Sequence, residues 1–422
     1  MRLLPLLVAL TLWLLAAPAT RADWGPPIPL SSGDQQSFAY AVAVASGDRP
    51  AVLLDNRRAR GAVLSVRRTD ARGRPGRLVT VARSNNSIQG IGLFAGRGSD
   101  LVAGWLERIN GSRRPVVAIG PALADRQVLA PGPRSTQFMD LAANRRGDAV
   151  VAFWRYAGTL QSSIFVAYRP AGGAFGTPQL LATGTVGTPA AAIDERGAAV
   201  VSWVDDAAVS VAERGAAAGA FTAPVRITAP TRPNGDIGVA IDNGRVVTSW
   251  VTSPRRGPNT VLVAERPSLG QPFAANAQVS VPAITAPRQT PEVALGGGRA
   301  LVAWTQREDV IDRAALAIRP DGGGWQAPIL RGAGVTVGAV DLLAATATRP
   351  PLLSLATDHR GVQTTTIRGD GTPAPARRID IRPAGPFVSL AQGRTHTWLA
   401  TTRNLGSSRK PRSQAVLIRS TP

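Results

Sequence analysis

Short apolar runs of five to seven residues, each closed by a turn signal, recur along the whole chain beyond residue 23. Outside the first twenty or so residues, no segment sustains a helical period. One unit shows the order plainly. A run of small residues, TPAAAID (188–194), meets the turn Glu195-Arg196-Gly197; then come AAVVSWV (198–204), VSVAER (209–214), a Gly/Ala loop and PVRIT (224–228). The next unit repeats it with IGVAID (237–242), Asn243-Gly244, VVTSWV, TVLVAER (260–266) and AQVSV. Runs rich in Val, Ile, Thr and Trp, joined through Asp-Asn-Gly, read as antiparallel strands in hairpins.

The second run of each unit carries a common motif. GAAVVSW (197–203), GRVVTSW (244–250), GRALVAW (298–304) and GDAVVAF (147–153) are close copies. SDLVAGW (99–105) and QGRTHTW (392–398) are weaker, and DRPAVLL (48–54) and TRPPLLS (348–354) fit by spacing. The shared large-residue slot is then Leu54, Trp105, Phe153, Trp203, Trp250, Trp304, Ser354 and Trp398, at intervals of 51, 48, 50, 47, 54, 50 and 44 residues. Four strands in about 49 residues is the period of a β-propeller blade. A blade is a wedge. Its first strand, nearest the axis, has room only for small side chains, as in YAVAVA (40–45), IGLFAG (91–96) and PEVALG (291–296). Further out the sheets diverge, and large rings fill the gap, so the slot residues are expected in the core.

An aromatic three residues before Pro announces the fourth strand in FGTPQLLA (175–182), FTAPVRIT (221–228) and WQAPILRG (325–332). The eighth unit ends at AVLIRSTP (415–422) without one, and WGPPIPLS (24–31) at the other end of the chain matches the missing element. Pairing both ends in one blade removes exposed sheet edges. The expected fold is all-β: a single β-propeller, most simply of eight four-stranded blades closed by the N-terminal strand, with seven blades as the alternative. The approximate repeats are 38–82, 88–130, 136–182, 187–228, 236–280, 289–331, 338–380 and 385–422 plus 24–32, within a domain of 23–422. The chain resembles secreted bacterial β-propeller repeat proteins in architecture. It lacks the S-x-D-x-G-x-x-W turn of sialidases and the Trp-Asp dipeptide of WD repeats. Propellers serve enzymes, lectins and scaffolds, so this resemblance implies no activity.

Ahead of the repeats, Arg2 and the apolar run LLPLLVALTLWLLAA (3–17) precede small residues ending at Ala19 or Ala22. That is the form of a signal peptide (1–22), too short for a membrane span of about 20 residues. The expected protein is therefore secreted or extracytoplasmic, with no membrane span after cleavage. Cys is absent, which excludes disulfides, thiolate metal sites and a Cys nucleophile. With two His, His359 and His396, a multi-histidine centre is excluded as well, and no metal or other cofactor is expected.

The net charge is +21, and Lys410 is the one lysine among 48 cations. Arg in the loops of one face is the candidate chemistry, because rigid scaffolds concentrate function in loops. Loops between blades bring Arg83, Arg134, Arg232, Arg288 and Arg382; loops between second and third strands bring Arg155, Arg307, Asp205, Glu308, Asp358 and His359. Convergent guanidinium groups grip carboxylate, sulfate or phosphate in bidentate fashion. The expected function is a binding module for an anionic partner such as an acidic glycan, a cell-wall polymer or an acidic protein surface. The alternative is a glycoside hydrolase or lyase drawing carboxylates from loops of different blades. Export and the lack of an aromatic-basic motif argue against a specific nucleic-acid role. The turn acids Asp194 and Asp242 read as hairpin formers, with calcium ligation as the other reading.

Overall fold

The computed structural model describes residues 24–420 except 33–35, 58–60, 85–87, 131–133, 157–160, 207, 229–232, 254–257, 282–284, 288–289, 309, 332–335, 347–348, 358–360, 382 and 406–411. Every regular element among them is a β-strand. Blade one is Gln36–Ala45, Arg49–Arg57, Ala62–Thr69 and Pro75–Ser84, each strand antiparallel to the next. Blades two to seven form six further sheets, and blade eight joins blade one through a single parallel bridge, Gln36 to Ser413. The inner strands Gln36–Ala45, Gln89–Ala95, Thr136–Ala143, Val186–Ile193, Pro233–Asp242, Glu292–Gly296, Val337–Leu343 and Pro383–Gln392 touch one another in that order, and the last touches the first. The ring is a closed propeller of eight blades.

Closure is made by the N-terminal strand. Ile28 pairs with Leu417 and Pro29 with Val416 in the last strand, Ser413–Arg419. The Gly25 amide donates to Arg419 O at 2.8 Å, and the Leu30 amide donates to Ala415 O at 2.8 Å. Leu30 is fully buried, and the Trp24 indole donates to Thr364 Oγ1 of blade seven at 2.8 Å. The expected signal peptide, residues 1–22, lies outside the described residues.

The core is a series of seams between neighbouring blades. Trp105, Phe153, Trp203, Trp250 and Trp304 are buried at 0% exposure, and each faces the preceding blade. Leu54 does the same toward blade eight. The spacing argument fails in the last two blades. Leu353 and Leu355, not Ser354, face blade six. Trp398 packs toward blade one, and its neighbour Leu399 faces blade seven. In a strand a shift of one residue moves a side chain to the other face. The turns here, 344–351 and 393–396, differ in length from those of the close copies, so matching by interval misplaced the slot.

Small residues at the axis have a steric cause. A Cβ on Gly238 would run into the Pro291 carbonyl oxygen of blade six, and one on Gly296 into Ala345 O of blade seven. The turn acid Asp194 is a hairpin former: Oδ1 accepts from the Arg196 and Ala198 amides at 3.0 and 2.9 Å, and Oδ2 from Gly244 N at 3.2 Å. Gly197 supplies the positive φ of 91° that this turn needs. Among the described residues no group of three His, Cys, Asp or Glu is placed to hold a metal ion.

Candidate functional site

One face of the ring carries the turns between second and third strands and the connections between blades. Of the residues expected there, Arg232, Arg288, Arg382, Asp358 and His359 lie outside the described residues, as does the side chain of Glu308. Arg83 stands exposed at the end of Pro75–Ser84, opposite Val63. Two candidates are already paired. The Arg307 guanidinium meets Asp312 across its hairpin, at 3.1 and 3.4 Å. Asp205 accepts from Ser210 Oγ at 3.2 Å and lies 3.7 Å from Arg226.

Arg134 and Arg155 come together, and Arg114 joins them. Arg155 is the last residue but one of the strand Ala149–Tyr156, whose alternation points Phe153 and Arg155 toward blade two. Its Nε donates to the Arg134 carbonyl at 3.3 Å. The same carbonyl accepts from Arg114 Nη1 at 3.0 Å, and Arg114 Nη1 also reaches Ala130 O at 3.3 Å. Arg114 is 6% exposed, so its charge is held within the seam between blades two and three. Burial, followed by the charges of Arg114 and Arg134, lowers the pKa of Arg155. No carboxylate within ion-pair distance of the three is found among the described residues. Tyr156, the next residue, is 48% exposed, and its ring lies 5.8 Å from that of Trp154. Two guanidinium groups bonded to one carbonyl oxygen, with the Arg134 charge acting on Arg155, leave donors free for an anion. Composition pointed to Arg134 and Arg155. Arg114 sits inside a strand, where nothing local sets it apart from a solvated cation.

The axis holds a feature that the loop-centred reading missed. Cavities of about 530 and 610 Å³ follow one another along the channel and share Glu292. The first is also lined by Asp140 and Phe138, the second by Asp341 and Tyr40. Burial drives Glu292 up to about 8, with help from the neighbouring Asp341 and Asp140 charges. Burial likewise lifts Asp341 to about 7 and Asp140 to about 6, against the amides bonded to them. Those amides define a staple between blades. Asp140 accepts from its own Leu141 N at 2.9 Å and from Ala191 N of blade four at 2.9 Å. Asp341 accepts from Leu342 N at 2.8 Å and from Leu390 N of blade eight at 2.6 Å. Glu292 makes no such bridge among the described residues. Its signal in the sequence was a lone acid in a run of small inner-strand residues.

No family model matches the chain, and no curated protein matches it in sequence. Among solved structures, an ulvan lyase described as a new family of polysaccharide lyase, PL25, aligns with a TM-score of 0.50 at 11% identity, covering 85% of this chain and 97% of that one. The same enzyme bound to -[GlcA(1-4)Rha3S]- gives the same values. The Dos1 propeller aligns with a TM-score of 0.49 at 9% identity over 94% of this chain and 95% of its own. At these identities the likeness is one of fold.

Proposed function

We propose that this protein is an exported glycan-binding propeller that takes an anionic glycan on its loop face, at the seam between blades two and three. The observation that carries the reading is the Arg114–Arg134–Arg155 cluster with no acidic partner among the described residues. A uronate or sulfate group offers the acceptors these donors lack, and the exposed Tyr156 ring on the same rim suits the apolar face of a sugar. The ulvan lyase of similar fold is seen with a glucuronate and sulfated-rhamnose repeat, a glycan of this class. The test is binding of a uronic-acid polysaccharide against its neutral counterpart at about 0.15 M ionic strength. Arg134→Ala with Arg155→Ala should weaken acidic-glycan binding at least tenfold, through loss of a charge-assisted hydrogen bond of about 1.5–3 kcal/mol. Arg77→Ala with Arg368→Ala removes the same charge at exposed positions elsewhere and should leave most of it. Equal losses in both would mean diffuse attraction and no site.

The channel acids favour a second reading, cleavage of the bound glycan. Groups whose pKa values fall between about 6 and 8 can exchange protons near neutrality. Release of an unsaturated uronide or a reducing end, abolished by Glu292→Gln, would establish it. Binding without turnover leaves the lectin reading.

A further inference from the structure

On the opposite face, where first strands turn into second and third into fourth, blade one carries a cavity of about 710 Å³. Its walls are the turns 46–48 and 70–74, with Ser99 of blade two at the edge. Arg49, Arg68, Arg72 and Arg74 all line it, against one acid, Asp70. Asp70 is already engaged: it pairs with Arg74 Nε at 2.6 Å and accepts from the Arg72 and Arg74 amides at 2.9 Å each. Arg68 crosses the seam and donates through Nη2 to Ser99 O at 2.7 Å and to Pro121 O. It is half-buried; desolvation lowers its pKa against the nearby Asp100 charge, and its two carbonyl bonds fix it at the wall. Arg49 and Arg72 are exposed and meet no carboxylate among the described residues. The cavity therefore holds a local excess of positive charge with two guanidinium groups open to a ligand. Beyond the turn 46–48, which it shares, a cavity of about 430 Å³ at the channel mouth adds Arg145 and Arg394.

We infer that this cavity is a second anion-binding site, distinct from the loop face, which takes a phosphate or sulfate ester group on a ligand of roughly disaccharide size. The volume lies within the range of about 300–1,000 Å³ usual for small-ligand pockets. A tetrahedral oxyanion presents acceptors in several directions and suits guanidinium forks arriving from two turns, whereas a carboxylate offers one planar edge. Two such sites at opposite ends of the ring would let one protein contact two segments of a charged polymer.

The experiment is calorimetric titration of the full mature chain with inorganic phosphate, inorganic sulfate and sodium glucuronate. In the Arg134→Ala/Arg155→Ala background, which removes the loop-face cluster, one saturable site for phosphate and sulfate is expected, with glucuronate at least tenfold weaker. Phosphate tighter than sulfate would identify a phosphorylated ligand, and the reverse order a sulfated one. Arg49→Ala with Arg72→Ala should weaken that site at least tenfold. Neither side chain bonds to the fold among the described residues, so melting should be unchanged. Arg134→Ala with Arg155→Ala should leave it intact, which separates this site from the loop-face reading whichever way that reading falls. In that background, glucuronate as tight as sulfate or no saturable binding would overturn the inference, as would equal losses from the two double substitutions in the parent chain.

Discussion

Glu292 combines an accessible side chain with a carboxyl that the surrounding inner strands keep from bulk solvent. Its pKa is raised on folding, so the folded state holds its proton more tightly than the unfolded chain does. By linkage, its contribution to stability is full below the unfolded value of about 4.3. It declines as pH rises and is lost by about pH 8. Asp341 and Asp140 act in the same direction, ending near 7 and 6. Melting temperature should therefore fall between about pH 4 and pH 8. Glu292→Gln should flatten that decline and raise the melting temperature at pH 8, read by scanning calorimetry at both pH values. A variant that melts lower at pH 8 than the parent would show that the ionised carboxylate has a partner. Asp140→Asn is a poorer probe, since each of its oxygens accepts an amide proton and the substitution breaks a bridge between blades.

At the scale of the element, the strand that decides the ring is among the shortest. Ile28–Pro29 pairs over two residues, extended by the Gly25 and Leu30 amide bonds and by a Trp24–Ser420 bridge. Backbone bonds of this kind contribute about 0.5–1.5 kcal/mol each, and Leu30 is buried at 0% exposure. Deleting residues 24–32 should lower the melting temperature by several degrees and promote aggregation through the bared edge of Ser413–Arg419. Unchanged melting and solubility would show that blade eight closes without it. The outer strands are tied by a different device. Gln179 of blade three donates to Phe221 O at 3.0 Å and accepts from Phe221 N at 2.9 Å, and Gln127 of blade two donates to Phe175 O at 2.9 Å. The aromatics before Pro therefore mark where one blade is clasped by its neighbour.

For the whole molecule, the ring gathers a cluster of acids on the axis inside a chain that is otherwise rich in arginine. Arginines collect in seams and turns at both faces, while Asp140, Glu292 and Asp341 line the axis. Because each blade buries its large residues against the next, half a ring exposes two seams. A chain ending at residue 228, after four blades, should lack a cooperative melting transition. A stable, monomeric four-blade fragment would overturn the view that stability resides between blades.

The β class, the four-strand unit, the wedge-shaped grading of side chains and the closing strand were all legible along the chain. Each is local, set by hydrophobic alternation, turn chemistry and side-chain volume. Loop-face arginines were legible only as a composition, because a sequence does not show which guanidinium meets an acid. Folding joined Arg307 to Asp312 and Asp205 to Arg226, and left Arg134 and Arg155 beside Arg114. The slip at Ser354 and Trp398 came from turn lengths that interval counting cannot resolve. The acidic axis was least visible of all. Asp140, Glu292 and Asp341 lie on blades three, six and seven, and only ring closure places them around one channel, where shared burial shifts their protons. Local pattern determined the blades; long-range geometry decided which charges share a seam, a cavity or an axis.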